Sequence, residues 1–333
     1  MTAIMLPPER LPEGKAERHG ALRDYFCDKD ATASLTPAGW ELALAWPDGD
    51  DRHIDPGLEA GLLWWGGGIR RKEMALAFRR NGRICRTLYD TWTLHSWSEW
   101  LARRGDAALK DLVILHVDDH RDLGSPRIIE DGKAWRDPIT RNRCDLHDPT
   151  SVSSAIESGA LGMGSFLTPF LHLAPGAEVR QLCQPPKAKT TIDYRFQLTT
   201  ENDTLLAPGQ ARPSIVLDRS PGIGPGTYRI TPNVRDWLDG IGKGSILLHI
   251  DMDYFNNRYD GDSDWPSRPE VLDPTAEEVR GKIDEMTNAL AACGVMDRIE
   301  DVVIAYSPGF FPAELWSEAD ARLARRLKSI NEH

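Results

Sequence analysis

The sequence lacks any apolar run of the roughly 18 residues that a bilayer crossing needs, and its 333 positions contain no low-complexity tract. The opening stretch, punctuated by Pro7, Pro8 and Pro12, has neither an apolar core nor a small-residue cleavage site, so no secretion signal is expected. Cysteine is sparse. Cys27, Cys85, Cys144, Cys183 and Cys293 never approach within 39 positions of one another, which excludes CxxC zinc ribbons and redox motifs and points to free thiols in a reducing compartment. A cytoplasmic location is the expectation. Positive charge is in deficit too: 40 Lys and Arg against 51 Asp and Glu leave a net charge of −11. Such a chain has no overall attraction for nucleic acid or an anionic membrane, and it favours cationic partners. Glycines at phosphate-cradling spacing are also missing, since Gly66-Gly67-Gly68 and Gly240-Ile241-Gly242-Lys243-Gly244 match neither a Walker nor a dinucleotide pattern. Asp260-Gly261-Asp262-Ser263-Asp264 opens like a calcium loop, but Trp265 stands where glycine is required and Val271 where glutamate is. That rules out an EF-hand, while leaving acids able to help dock a cation.

What is present is a chain 41% hydrophobic, enough for a sizeable core. Residues 1–38 are polar and proline-punctuated and read as an N-terminal arm; residues 39–333 read as one α/β domain. Trp40–Trp46 alternates like a strand, and two β-like runs flank Asn81-Gly82, a strong hairpin signal. From Leu112 onward short apolar runs alternate with helix-period segments, which predicts βα units and a mostly parallel sheet. Leu112–Val117, Ile246–Ile250 and Val302–Ala305 look like strands buried on both faces. Helices are expected from Asp148-Pro149 to Gly159, from Asp273-Pro274 to Gly294, and from about Pro312 onward. Residues 185–225, rich in Thr, Pro and Gly, read as a β-containing insertion or a long loop. Most of the 11 tryptophans are assigned to the core.

One internal echo stands out. Ile114-Leu115-His116-Val117-Asp118 and Leu247-Leu248-His249-Ile250-Asp251 are nearly the same strand written twice, each ending in carboxylates. The first continues as Asp118-Asp119-His120-Arg121-Asp122 and the second as Asp251-Met252-Asp253. Extended backbone would turn Asp118, His120 and Asp122 to one side. Ligands bind at the carboxyl ends of strands in open parallel sheets. Carboxylates sharing one site cannot all ionise cheaply, and divalent cations remove that conflict. Imidazole among carboxylates suits manganese or iron, or zinc at lower coordination. One zinc uses about three protein ligands, so five donors favour two metals, bridged by Asp118 and Asp251. His95, in an aromatic segment just upstream, is the expected sixth ligand. His116 and His249, inside the strands, are expected to support the ligands, and Asp119 is a candidate substrate-facing acid.

The ordered series HVDDHRDL, SGALGMGSFLTPFLH, HIDMDYF and IAYSPGF resembles the arginase/deacetylase (ureohydrolase) superfamily, most closely the peptide arginases of ribosomal-peptide biosynthesis and their formerly uncharacterised relatives. The resemblance implies a three-layer α/β/α arginase-like fold, two Mn²⁺ ions held by His95, Asp118, His120, Asp122, Asp251 and Asp253, and hydrolysis of peptidyl arginine to ornithine and urea. Deacetylases lack the second carboxylate of the first motif, so Asp122 argues against that branch. Free arginases hold the guanidinium with a glutamate on a late strand, and the late strand here runs into Ala305-Tyr306-Ser307-Pro308-Gly309 with no acid. Recognition must therefore differ, in keeping with an arginine-containing peptide as partner, and Ser307 is a candidate contact. His147 and His172 are the candidates by position for a proton shuttle. The alternatives are a single-zinc amide hydrolase of the deacetylase kind and a non-catalytic, metal-stabilised peptide-binding protein.

Overall fold

The computed structural model describes residues 4–26, 28–50, 52–132, 134–219, 224–268 and 272–331; Cys27 and Val271 lie outside them. Strands β1 (Ile4–Leu6), β2 (Asp30–Thr36) and β3 (Gly39–Ala45) make an antiparallel N-terminal sheet in the order β1-β3-β2. The Asn81-Gly82 hairpin joins β4 (Phe78–Asn81) to β5 (Ile84–Thr87), and β6 (Val113–Val117) follows the helix Trp92–Arg104. A satellite sheet contains β7 (Ile129–Asp131), β8 (Ala134–Arg136) and β9 (Arg143–Cys144). The remaining strands are β10 (Glu178–Leu182), β11 (Ile192–Asn202), β12 (Ala211–Asp218), β13 (Gly226–Thr231), β14 (Ile246–Asp251) and β15 (Ile299–Ala305). The central sheet has nine strands in the order β12-β11-β13-β10-β6-β14-β15-β5-β4. From β13 to β5 all neighbours are parallel, and the β11–β12 and β4–β5 hairpins close the two edges antiparallel.

Both faces of the sheet are buried, as the unbroken apolar strands require. Val113, Leu115 and Val117 face one core with Ile246, Leu248 and Ile250, covered by Ile283 and Leu290 of the helix Ala276–Ala292 and Trp316 of the helix Trp316–Arg326. Ile114 and Leu247 face the other, covered by Trp97 and Trp100 of the helix Trp92–Arg104 and Phe170 of the helix Leu167–Leu173. Truncating a central side chain such as Leu248 to alanine removes contacts to the first core, a change that costs about 2–5 kcal/mol. The alternation also fixes the polar residues. His116 and Asp118 continue the parity of Ile114, and His249 and Asp251 continue that of Leu247. Because His116 pairs with His249 in parallel register, the two strand ends are level.

Local signals account for the element ends. Asp148 accepts from Thr150 N and Gly159 closes the helix Pro149–Ser158 in the left-handed region. The following long helix begins later than Asp273-Pro274, because Thr275 and Glu278 form a capping box. The expected boundary at 38/39 fails: it cuts the β2–β3 hairpin, where Thr36 pairs with Gly39. Nor does the N-terminal region stand off as an arm, for Ile4, Leu6, Leu22, Tyr25 and Phe26 pack with Trp40, Leu42 and Leu205. The helix Lys15–Phe26 buries only Leu22, Tyr25 and Phe26, too few apolar positions for a helical period to show. Residues 185–225 do contain strands, and the β11–β12 hairpin extends the central sheet.

Candidate metal centre

The chain leaves both strands through tight bends. After β6, the Asp118 carboxylate accepts from His120 N, an Asx-type turn, and Asp122 lies at φ 53°. Asp118, His120 and Asp122 therefore converge by bending rather than by the strand alternation expected from the sequence; aspartate tolerates the left-handed conformation better than most residues. After β14, Asp251 accepts from Asp253 N at 3.1 Å and starts a single 3₁₀ turn, Met252–Tyr254. Asp119 N donates to Asp253 Oδ1 at 3.1 Å, tying the two exits together. His120 Nδ1 lies 2.8 Å from Asp253 Oδ2 and 3.6 Å from Asp118 Oδ1, while its Nε2 faces Asp260 Oδ1 at 3.0 Å and Lys187 Nζ at 2.8 Å. Within the strands, His116 Nδ1 and His249 Nδ1 are 3.0 Å apart, and His116 Nε2 is 3.8 Å from both Asp118 Oδ2 and Asp122 Oδ2. From the end of β15, Ser307 Oγ donates to Asp251 Oδ2 at 2.6 Å.

Burial, and then mutual repulsion, hold the carboxyls of Asp118, Asp251 and Asp90 well above the usual carboxylate range. Burial lowers the imidazoles of His116 and His249. Asp90 Oδ1, Asp118 Oδ2, Asp122 Oδ2 and His249 Nε2 are buried without a hydrogen-bond partner among the described residues. Leaving one such atom unsatisfied costs about 1–3 kcal/mol. Ligand atoms of His116, Asp118, Asp122 and His249 lie within 4.8 Å of one another, as do those of Asp118, His120 and Asp253. This buried His/Asp cluster could hold metal ions, with imidazole and carboxylate donors mixed. His116 and His249, expected to act only as supports, are thus within ligand reach themselves.

A cavity of about 510 Å³ opens onto the acids. Asp90, His120, Arg121, Asp122, Asp251 and Asp253 are its polar lining, with Ser307 and Asp28; Leu123, Met163 and Phe310 are its apolar lining. Met163, Ser307 and Phe310 come from two of the segments that carried the resemblance. Burial raises the Asp28 carboxyl to about 6.

Other expected site residues are placed elsewhere. His95 belongs to neither donor grouping. It sits in the helix Trp92–Arg104 with its ring 5.2 Å from those of Phe78 and Trp92, and its charged neighbours are Glu99 and Arg80. The first turn of that helix carries the ring to the β4 edge, while Asp90, just before the helix, reaches the cavity. Asp90 was missed because β5 reads as half of a hairpin; its other edge pairs parallel with β15, so its carboxyl end opens on the same side as β6 and β14. His147 and His172 share a separate cleft with Trp135, where His147 bonds Asp106 and Asp145 and His172 bonds the Ser214 carbonyl. Neither lines the acid cavity. Asp119 does not line it either: its Oδ2 is 3.0 Å from Lys187 Nζ and accepts from Asn257 at 2.8 Å. Lys187 and Asn257 gave no sequence signal, whereas Asp260 was already visible as a possible aid to a cation. No protein-family model matches this sequence, and no curated protein does.

Proposed function

We propose that this chain is a binuclear metal-dependent hydrolase of guanidinium groups, with an arginase-like fold, that converts peptidyl arginine to ornithine and urea. The observation that carries the proposal is the level pairing of two near-identical strands, His116 opposite His249, whose exits bring Asp122, Asp251, Asp253 and His120 to one cavity, with Asp118 within ligand reach of His120 and Asp253. The acids suit a cationic side chain, and Leu123, Met163 and Phe310 suit its methylene stem. In this reading Asp118, His120, Asp122, Asp251 and Asp253 hold two Mn²⁺ ions, with Asp90 in the upstream place that the resemblance gave to His95; iron or zinc would use the same donors. Bound there, the ions would supply Lewis acidity and lower the pKa of water. The chain's own part is to orient the donors. Ser307 Oγ fixes Asp251, Asp119 N fixes Asp253, and the Asp260 and Lys187 contacts on Nε2 keep His120 Nδ1 turned to the acids. The apolar lining keeps water from the guanidinium stem. A cytoplasmic enzyme acting on an arginine-containing peptide completes the proposal.

Incubating metal-loaded protein with diverse arginine peptides tests it by mass spectrometry. Loss of CH₂N₂ with release of urea is expected; no loss from any peptide or from free arginine contradicts the reaction. The trio Asp118, His120 and Asp253 favours a second reading, a single-zinc amide hydrolase, since a catalytic zinc uses three protein ligands and an open position. Metal stoichiometry separates the two, as two ions per chain or one.

A further inference from the structure

The N-terminal unit reaches the cavity through one carboxylate. Asp28 lies between the helix Lys15–Phe26 and β2, outside the central sheet, yet lines the acid cavity beside Met163 and Phe310. Its Oδ2 accepts from Met163 N at 2.7 Å, and a Cβ at Gly162 would stand only 2.8 Å from the same oxygen. The backbone of the 162–163 segment is thus shaped to this carboxylate. Oδ1 takes no hydrogen bond among the described residues, and Asp28 has no ion pair among them. Arg52 and Arg127 act on it only at longer range: Arg52 bonds Asp30 at 3.0 Å, and Arg127 bonds the carbonyls of Tyr25 and Ser125. Asp90, 4% exposed, lines the same cavity with an Oδ1 that nothing satisfies among the described residues. Asp251 and Asp253 accept from backbone at the strand exits and Asp90 accepts from Gly164 N, whereas Asp28 comes to the cavity from the N-terminal region, outside the central sheet.

We infer that Asp28 is the anchor that recognises the cationic head of a substrate side chain, selecting a guanidinium or ammonium group that enters between Met163 and Phe310. The inference rests on the reading that the cavity takes a cationic side chain. It assigns a specificity role to the segment that the sequence pattern marks least.

The test uses metal-loaded wild type and Asp28→Asn, with metal content measured on both, titrated calorimetrically with the Nα-acetyl amides of arginine, lysine and citrulline. Wild type is expected to bind a cationic probe and discriminate against neutral citrulline. Asp28→Asn is expected to weaken the cationic probe about tenfold or more, as loss of a charged hydrogen-bond partner does, with metal content unchanged. Equal affinity in the variant overturns the inference. So does binding of citrulline as tight as arginine, or binding of neither cation by wild type. If lysine binds in an Asp28-dependent way and arginine does not, the anchor stands and guanidinium hydrolysis falls. If arginine peptides lose CH₂N₂ equally well with Asp28→Asn at limiting substrate, hydrolysis stands and the anchor falls. Should Asp28→Asn fail to fold, Asp28→Glu carries the test: preference for cation over citrulline persists with weakened affinity, and unaltered affinity overturns the anchor.

Discussion

Two cavities of this protein set histidines beside carboxylates, and they differ in what the polar atoms already have. In the cleft of about 250 Å³ shared by His147 and His172, the rings are satisfied: His147 has Asp106 at 2.7 Å and Asp145 at 3.1 Å, and His172 has the Ser214 carbonyl at 3.0 Å. His147 is exposed, and solvent-exposed pairs of that kind contribute about 0–1 kcal/mol. At the strand ends the donors are buried, crowd one another and include oxygens that no described residue satisfies. Histidine beside acid is therefore no sign of function by itself. Unsatisfied buried donors converging on a cavity are, because folding alone would have removed their cost by giving them partners.

Asp118 is the one residue common to both donor groupings. Asp118→Asn is expected to weaken metal binding more than about 100-fold, beyond what loss of a supporting contact does, with turnover falling in parallel. Competition with a chelating dye measures it. The next largest effect is one of pH. Asp118, Asp251 and Asp90 have raised carboxyls, so without metal they retain protons that ionise elsewhere at lower pH, and metal binding must release them. Affinity should therefore fall as pH is lowered toward the usual carboxylate range, with proton release visible by calorimetry in buffers of different ionisation enthalpy. Affinity independent of pH would place the metal away from these acids. Asp260→Asn removes a contact that orients His120 and should cost about tenfold in metal affinity while leaving the stoichiometry intact. The smallest effect belongs to the other cavity: His147→Ala and His172→Ala should leave metal content unchanged and turnover within about twofold, with His147→Ala altering stability by about 1 kcal/mol or less. A large loss of turnover in either variant would erase the contrast.

The two acidic exits were legible because each is contiguous in sequence and follows an apolar strand whose parity extends through His116 to Asp118 and through His249 to Asp251. The reason they converge was only half legible. Parity aims Asp118 and Asp251, but a bend and a left-handed Asp122 gather the rest, and a single aspartate carries no local sign of positive φ. His95 was drawn in by its closeness to the first strand, and the rotation of its helix carries it away. Asp90 and Asp28 depend on long-range facts: which edge of β5 pairs with β15, and where a polar N-terminal helix packs. Neither leaves a periodic trace. The same holds for the hairpin that makes residues 1–38 inseparable from β3, since its partner strand alone showed a clear pattern.

Metal content by mass spectrometry after chelation and reloading, with wild type and Asp118→Asn side by side, decides whether these acids hold ions. Wild type is expected to take up divalent manganese, iron or zinc at two ions per chain and Asp118→Asn is not. Equal uptake by the two proteins, or none by wild type, rules out a metal centre at the strand exits.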